Sequence, residues 1–144
     1  MRSIRLLLAV FLVFLSARSF GDDDRPYVLL PAGQIKEISH LCSRLGPEKI
    51  EGSWLPDEAI LKQAEADLGQ LHFYEPYPQN PKKYYRQYIA VVIGGKKMLY
   101  LNASIIRPSQ TVMISVCDGG PSFWGALYDP ATRKYSELHF NGRA

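Results

Sequence analysis

The chain is poor in cysteine: Cys42 and Cys117 are the only two in 144 residues. No Cys-x-x-Cys unit exists, so a four-thiolate zinc site is excluded. Histidine is scarce as well. His40, His72 and His139 are scattered, no two stand at i and i+4, and no Gly-rich loop runs into Lys-Ser or Lys-Thr. The zinc-protease and nucleotide-phosphate motifs are therefore absent. No catalytic residue is assigned from sequence, and neither a metal nor a cofactor is expected. Long apolar runs are missing too. A stable membrane span needs about 20 apolar residues, and the run at 6–15 (LLLAVFLVFL) has ten.

That short run follows Arg2 and Arg5 and leads into small residues, which is the layout of a secretory signal peptide. Ser19 and Gly21 stand three and one before a cut that would leave Asp22 first; a cut after Ala17 competes. Neither leaves a Cys first, which argues against lipid attachment. The expectation is a signal peptide over 1–21, a single domain over 22–144, and export to the periplasm or beyond. Removing 21 of 144 residues leaves 123, a length that suits one core. The formal net charge of +3 disappears with the leader, because Arg2, Arg5 and Arg18 go with it. Fourteen Lys and Arg then face 14 Asp and Glu. Nucleic-acid binding loses its main sequence-level support, a basic excess. Lys82-Lys83 and Lys96-Lys97 read as solvated loop and turn residues.

In an exported chain, two cysteines favour one disulfide, Cys42–Cys117. Closing that loop would stabilise the fold by about 4 kcal/mol on the chain-entropy account. The competing reading is a reactive Cys117 beside Asp118, which would need a base brought from elsewhere.

The pattern predicts an α+β fold: one or two N-terminal helices on an antiparallel meander of about five strands. A short strand is read at 27–30. Ile35, Ile38, Leu41, Cys42 and Leu45 share helical spacing, so a first helix is read over 34–45, stopped by Gly46-Pro47. A second helix starts at Pro56, buries Ile60, Leu61, Ala64 and Leu68, and stops near Gly69. Three prolines over 74–81 forbid regular structure there. Gly94-Gly95 then marks a hairpin, with Ile93 opposite Lys96, Val91 opposite Met98, Ile89 opposite Tyr100 and Asn102 opposite Gln87. Both hairpin faces are apolar, so the second is either covered or a sticky surface. Further strands are read at 111–117, 123–128 and 135–140, with Asp129-Pro130-Ala131-Thr132 as a turn.

The densest stretch is Cys117-Asp118-Gly119-Gly120-Pro121-Ser122-Phe123-Trp124-Gly125. Its glycines permit positive φ and Pro121 then fixes the chain, which makes a tight connection. Trp124 reads either as core behind that turn or as an aromatic platform beside the exposed Gly amides. As a binding surface, the candidate residues are Tyr74, Tyr77, Asp118, Gly119, Gly120 and Trp124. Loops on a rigid sheet are where recognition residues usually sit.

Cys117-Asp118-Gly119-Gly120-x-x-Phe123-Trp124-Gly125, Tyr128-Asp129-Pro130-x-Thr132 and Phe140-Asn141-Gly142-x-Ala144 together resemble the C-terminal signature of small exported bacterial proteins of unassigned function. Trp54-x-Pro56, Tyr85-Arg86-Gln87-Tyr88 and Tyr100-Leu101-Asn102-Ala103 are similar to the same group. The resemblance implies export and a shared fold, and it assigns no catalytic residue. The expected topology also resembles cystatin-like and NTF2-like folds, but the cystatin signature Gln-x-Val-x-Gly is absent, so protease inhibition is not implied by it.

Three function classes follow. The leading expectation is a non-catalytic exported binding protein, such as an inhibitor or immunity protein for another exported protein, or one that takes a small ligand. It draws on the doubly apolar hairpin and nine tyrosines. A structural or envelope-associated accessory protein is the second. A small hydrolase is the third: Glu75 and Asp118 could approach in space as a glycosidase-type pair, though nothing in the sequence singles them out.

Overall fold

The computed structural model describes residues 24–73 and 80–143; the signal peptide read over 1–21 lies outside them. Five strands form one sheet, in the order β1 (Tyr27–Leu29), β2 (Tyr85–Ile93), β3 (Lys96–Ser104), β4 (Phe123–Asp129) and β5 (Lys134–Phe140). Two short helices, α1 (Ile35–Ile38) and α2 (Glu58–Asp67), precede β2. The α+β architecture is as expected. From β2 to β5 every neighbour is antiparallel, whereas β1 lies parallel to β2. The reason is the connection: β1 reaches β2 only after both helices, and so long a crossover can return the chain in the same direction.

The hairpin register is the one the glycines imply. Gly94 and Gly95 both have positive φ, and all nine residues of β2 pair in step with β3, from Ile93↔Lys96 to Tyr85↔Ser104. Its two apolar faces are both covered. One bears Tyr88, Ala90, Leu99, Leu101, Trp124 and Tyr128 beneath Leu61 and Ala64 of α2 and the following Leu68. The other bears Ile89, Val91, Tyr100 and Leu127 beneath Ile38 of α1, Leu30 and Met113. A central strand covered on both sides needs apolar residues at every position, which explains the unbroken run YIAVVI.

Three elements differ from the sequence expectation. The first helix is short: Ala32–Gln34 is a 3-10 turn, and α1 ends at Ile38. Ser39 and His40 close it with bonds to Lys36 O and Glu37 O, three residues back. The chain then doubles back, so that a Cβ on Gly46 would lie 3.0 Å from Ile38 O. Cys42 is therefore on a loop. Pro56 precedes α2 rather than starting it; Asp57 is the cap, its Oδ1 accepting from Ile60 N at 2.9 Å. Finally, the segment 111–117 is not a strand, although five strands are present because β1 supplies the fifth.

Candidate functional site

Side-chain amides replace the missing ladder along that segment. Gln87 Nε2 donates to Ser109 O (3.0 Å) and Val112 O (2.7 Å), and Gln87 Oε1 accepts from Ile114 N (2.8 Å). Gln34 Oε1 accepts from Met113 N, Asn102 Nδ2 donates to Ile114 O, and Asn141 Nδ2 donates to Val116 O and Asp118 O. Arg44 ties these amides together. Its guanidinium donates to Tyr100 Oη (3.2 Å), Asn141 Oδ1 (2.6 Å) and Asn102 Oδ1. Burial raises the Tyr100 phenol above its ordinary value, with Arg44 opposing. The Cys42–Cys117 disulfide, with Cα atoms 5.0 Å apart, staples the Arg44 loop to the same segment. Both cysteines are bonded, so Cys117 carries no thiol.

On the α2 face, polar groups of the helix meet phenols of the sheet. Glu65 takes Arg86 in a two-pronged pair at 2.8 and 2.7 Å and accepts from Tyr88 Oη at 2.7 Å. Asp67 pairs with Arg133 and accepts from Tyr128 Oη at 2.6 Å. The Arg133 hydrogen bond and then the Tyr128 hydrogen bond hold the Asp67 carboxyl below its ordinary range. Burial, then the Asp67 hydrogen bond, pushes the Tyr128 phenol up to about 12. Burial raises Tyr88 and Tyr135 as well. Phenols so placed stay protonated near neutral pH and act as donors, not bases.

The residues singled out in the sequence separate. Tyr74 and Tyr77, with Glu75, lie outside the described residues. Their flanks are well fixed: the Phe73 and Tyr84 rings sit 5.1 and 5.5 Å from that of Trp124, and Tyr84 Oη donates to Pro121 O. Phe73 and Tyr84, on either side of 74–79, therefore share one end of the sheet with the 119–122 turn. Asp118 and Gly119 are exposed there; Gly120 is buried and donates to Gly142 O at 2.9 Å. Trp124 is fully buried, and its Nε1 has no hydrogen-bond partner. Its ring is core.

A concave site that the sequence does not announce runs along β1. A cleft of about 860 Å³ is floored by Pro26, Tyr27, Val28 and Leu29. Pro56, Glu58 and Leu61 form one wall, and the loop from Arg107 to Thr111 forms the other. A second hollow of about 560 Å³, bounded by Ser53, Trp54 and Leu55, shares Leu29 and Thr111 with it. At one end Arg25 lies over the Tyr27 ring and pairs with Glu58 at 2.7 Å; Arg107 lies over the Tyr85 ring and pairs with Asp24 at 3.4 Å. Large apolar side chains are exposed next to these lining residues: Leu55, at 88%, lines the second hollow, and Ile106 and Val112 flank the 107–111 loop in sequence.

Among the described residues, no group of three or more His, Cys, Asp or Glu could hold a metal ion, and no helix is long and apolar enough to cross a membrane. No protein-family model matches the chain, and comparison with curated proteins and with solved structures gives no match.

Proposed function

We propose that the protein is exported and works by non-covalent binding of another exported protein, in the manner of an inhibitor or immunity protein, with the β1 cleft as its contact surface. The observation that carries this reading is the cleft itself: a concavity along a sheet edge, with exposed Leu55 in the adjoining hollow and exposed Val112 next in sequence to the lining residue Thr111. Exposed apolar side chains clustered around a concave site mark recognition surfaces. Arg and Tyr, which supply two stacked pairs there, are enriched at binding hot spots. Export draws support from the leader-like 1–21 segment, the disulfide and the resemblance of the 117–125 motif to small exported bacterial proteins.

The test is affinity capture from the exported fraction of the source cells with two baits, the wild-type mature protein and Leu55→Asp/Val112→Asp. Both changes fall on exposed side chains and should leave the melting temperature within about 2 °C. A partner held by wild type and lost by the variant supports the proposal. Equal capture by both baits contradicts it.

A further inference from the structure

Among the described residues, the two faces of β1 are engaged, but one of its edges is not. Pro26 O accepts from Arg86 N, and Leu30 N donates to Tyr88 O. Backbone groups alternate in direction along an extended strand. Val28 therefore also turns toward β2, while Tyr27 and Leu29 turn their N–H and C=O groups the other way, into the cleft. Among the described residues β1 is the terminal strand of the sheet, and no strand meets them on that side.

A ligand that matches this floor must present donors and acceptors at the repeat of an extended chain. It must also fit between two walls and cover Leu55 and Val112. Its charge is set at the Arg25–Arg107 end. Arg25, Arg86 and Arg107 line the cleft against Glu58 alone. Arg86 is neutralised by Glu65 and Arg25 by Glu58. Arg107 meets Asp24 at 3.4 Å, at the same end, so arginine outweighs carboxylate in the lining there. A carboxylate on a bound segment would meet this positive lining with complementary charge.

We infer that the partner binds by strand addition: an extended, acidic segment of another protein lies along β1 and extends the sheet as a sixth strand, bonding to Tyr27 and Leu29. This rests on the binding reading above and specifies how the same cleft is used. Main-chain bonds supply affinity in this mode, and side chains at alternate positions supply specificity.

Proline gives a selective test, because it removes one N–H and is tolerated on edge strands. Leu29→Pro deletes a donor that faces the cleft and spares the β1–β2 ladder. Leu29→Ala controls for the lost side chain. The probe is a phage-displayed library of linear peptides selected on the wild-type protein. Enriched peptides should carry Asp or Glu and bind Leu29→Pro about fivefold or more weakly than Leu29→Ala, the worth of one hydrogen bond. N-methylation of the peptide backbone should abolish binding at every second residue and be tolerated between. That second measurement uses the unaltered protein and does not depend on the variant folding. Peptides that bind Leu29→Pro and Leu29→Ala equally, N-methyl effects without a period of two, or no enrichment would each overturn strand addition. If an exported partner still distinguishes wild type from Leu55→Asp/Val112→Asp in those cases, the binding function stands and only this mode fails.

Discussion

Replacing Gly125 by alanine should be one of the most damaging single-methyl changes in the protein. An alanine Cβ there would lie 2.5 Å from Tyr100 Oη and 3.0 Å from Arg44 Nε. Neither group can retreat cheaply. Tyr100 is 2% exposed, and the Arg44 guanidinium is shared among Tyr100, Asn102 and Asn141. Overpacking a tight site costs about 1–3 kcal/mol, and a lost hydrogen bond to a charged group costs about 1.5–3 kcal/mol. Against that, removing a strand glycine returns about 0.5–1 kcal/mol. The net expectation is a destabilisation of about 3 kcal/mol, or a melting temperature about 10–15 °C lower. Urea and thermal unfolding measure it directly. An Arg44→Met background makes the test specific, because it removes the guanidinium over Gly125 and the hydrogen bond that holds Tyr100 Oη beside it. There the alanine should cost at least about 1 kcal/mol less, a coupling that a double-mutant cycle reads. A Gly125→Ala protein as stable as wild type, or one equally destabilised in both backgrounds, would refute the account of the Arg44 network.

Mild reduction should open the Cys42–Cys117 bond, since both residues are exposed, and lower stability by about 4 kcal/mol; two freely alkylated thiols in unreduced protein from the exported fraction would contradict the link. Trp124→Ala should cost about 3–5 kcal/mol in unfolding experiments, as a fully buried aromatic does, and a nearly unchanged melting temperature would return the ring to the surface. At high pH the raised phenols set the limit. Because the folded value of Tyr128 is about 12, against an ordinary value of 10, its contribution is complete below pH 10 and is lost as pH rises toward 12. Near-UV dichroism should therefore collapse together with tyrosinate absorbance in that window, and phenols that ionise while the dichroism persists would contradict the burial. Mass spectrometry of the protein purified from its source cells should find an N-terminus at Asp22 or, on the competing cut, Arg18; an intact Met1 would contradict cleavage of a signal peptide.

What could be read from the sequence was local or paired. Gly94-Gly95 specified a turn, and the turn specified nine cross-strand partners. Two cysteines left one bridge to make. The Asp129 turn was equally legible, because its cause is a side chain two residues away: Asp129 Oδ1 accepts from Ala131 N at 2.9 Å. The 111–117 segment misled for a physical reason. Its apolar, β-branched pattern is that of a strand, but its main chain is bound by the amides of Gln34, Gln87, Asn102 and Asn141. Nothing within 111–117 announces partners so far away in sequence. The 34–45 helix misled similarly. Its spacing is helical, yet Cys42 is bonded to Cys117 and Arg44 to Asn102, partners far outside the 34–45 pattern. The cleft was not legible at all. Its floor, walls and rim come from residues near 27, 56 and 109, which only the fold brings together.

The central claim is that a partner docks on the β1 edge. Hydrogen exchange of the wild-type protein, measured with and without the partner captured from the exported fraction, tests it most directly. Binding should slow exchange at Tyr27 and Leu29 and across 107–112, and leave the amides of Asp118 and Gly119 unchanged. Protection confined to the 118–122 turn, with Tyr27 and Leu29 exchanging as freely as before, would contradict it.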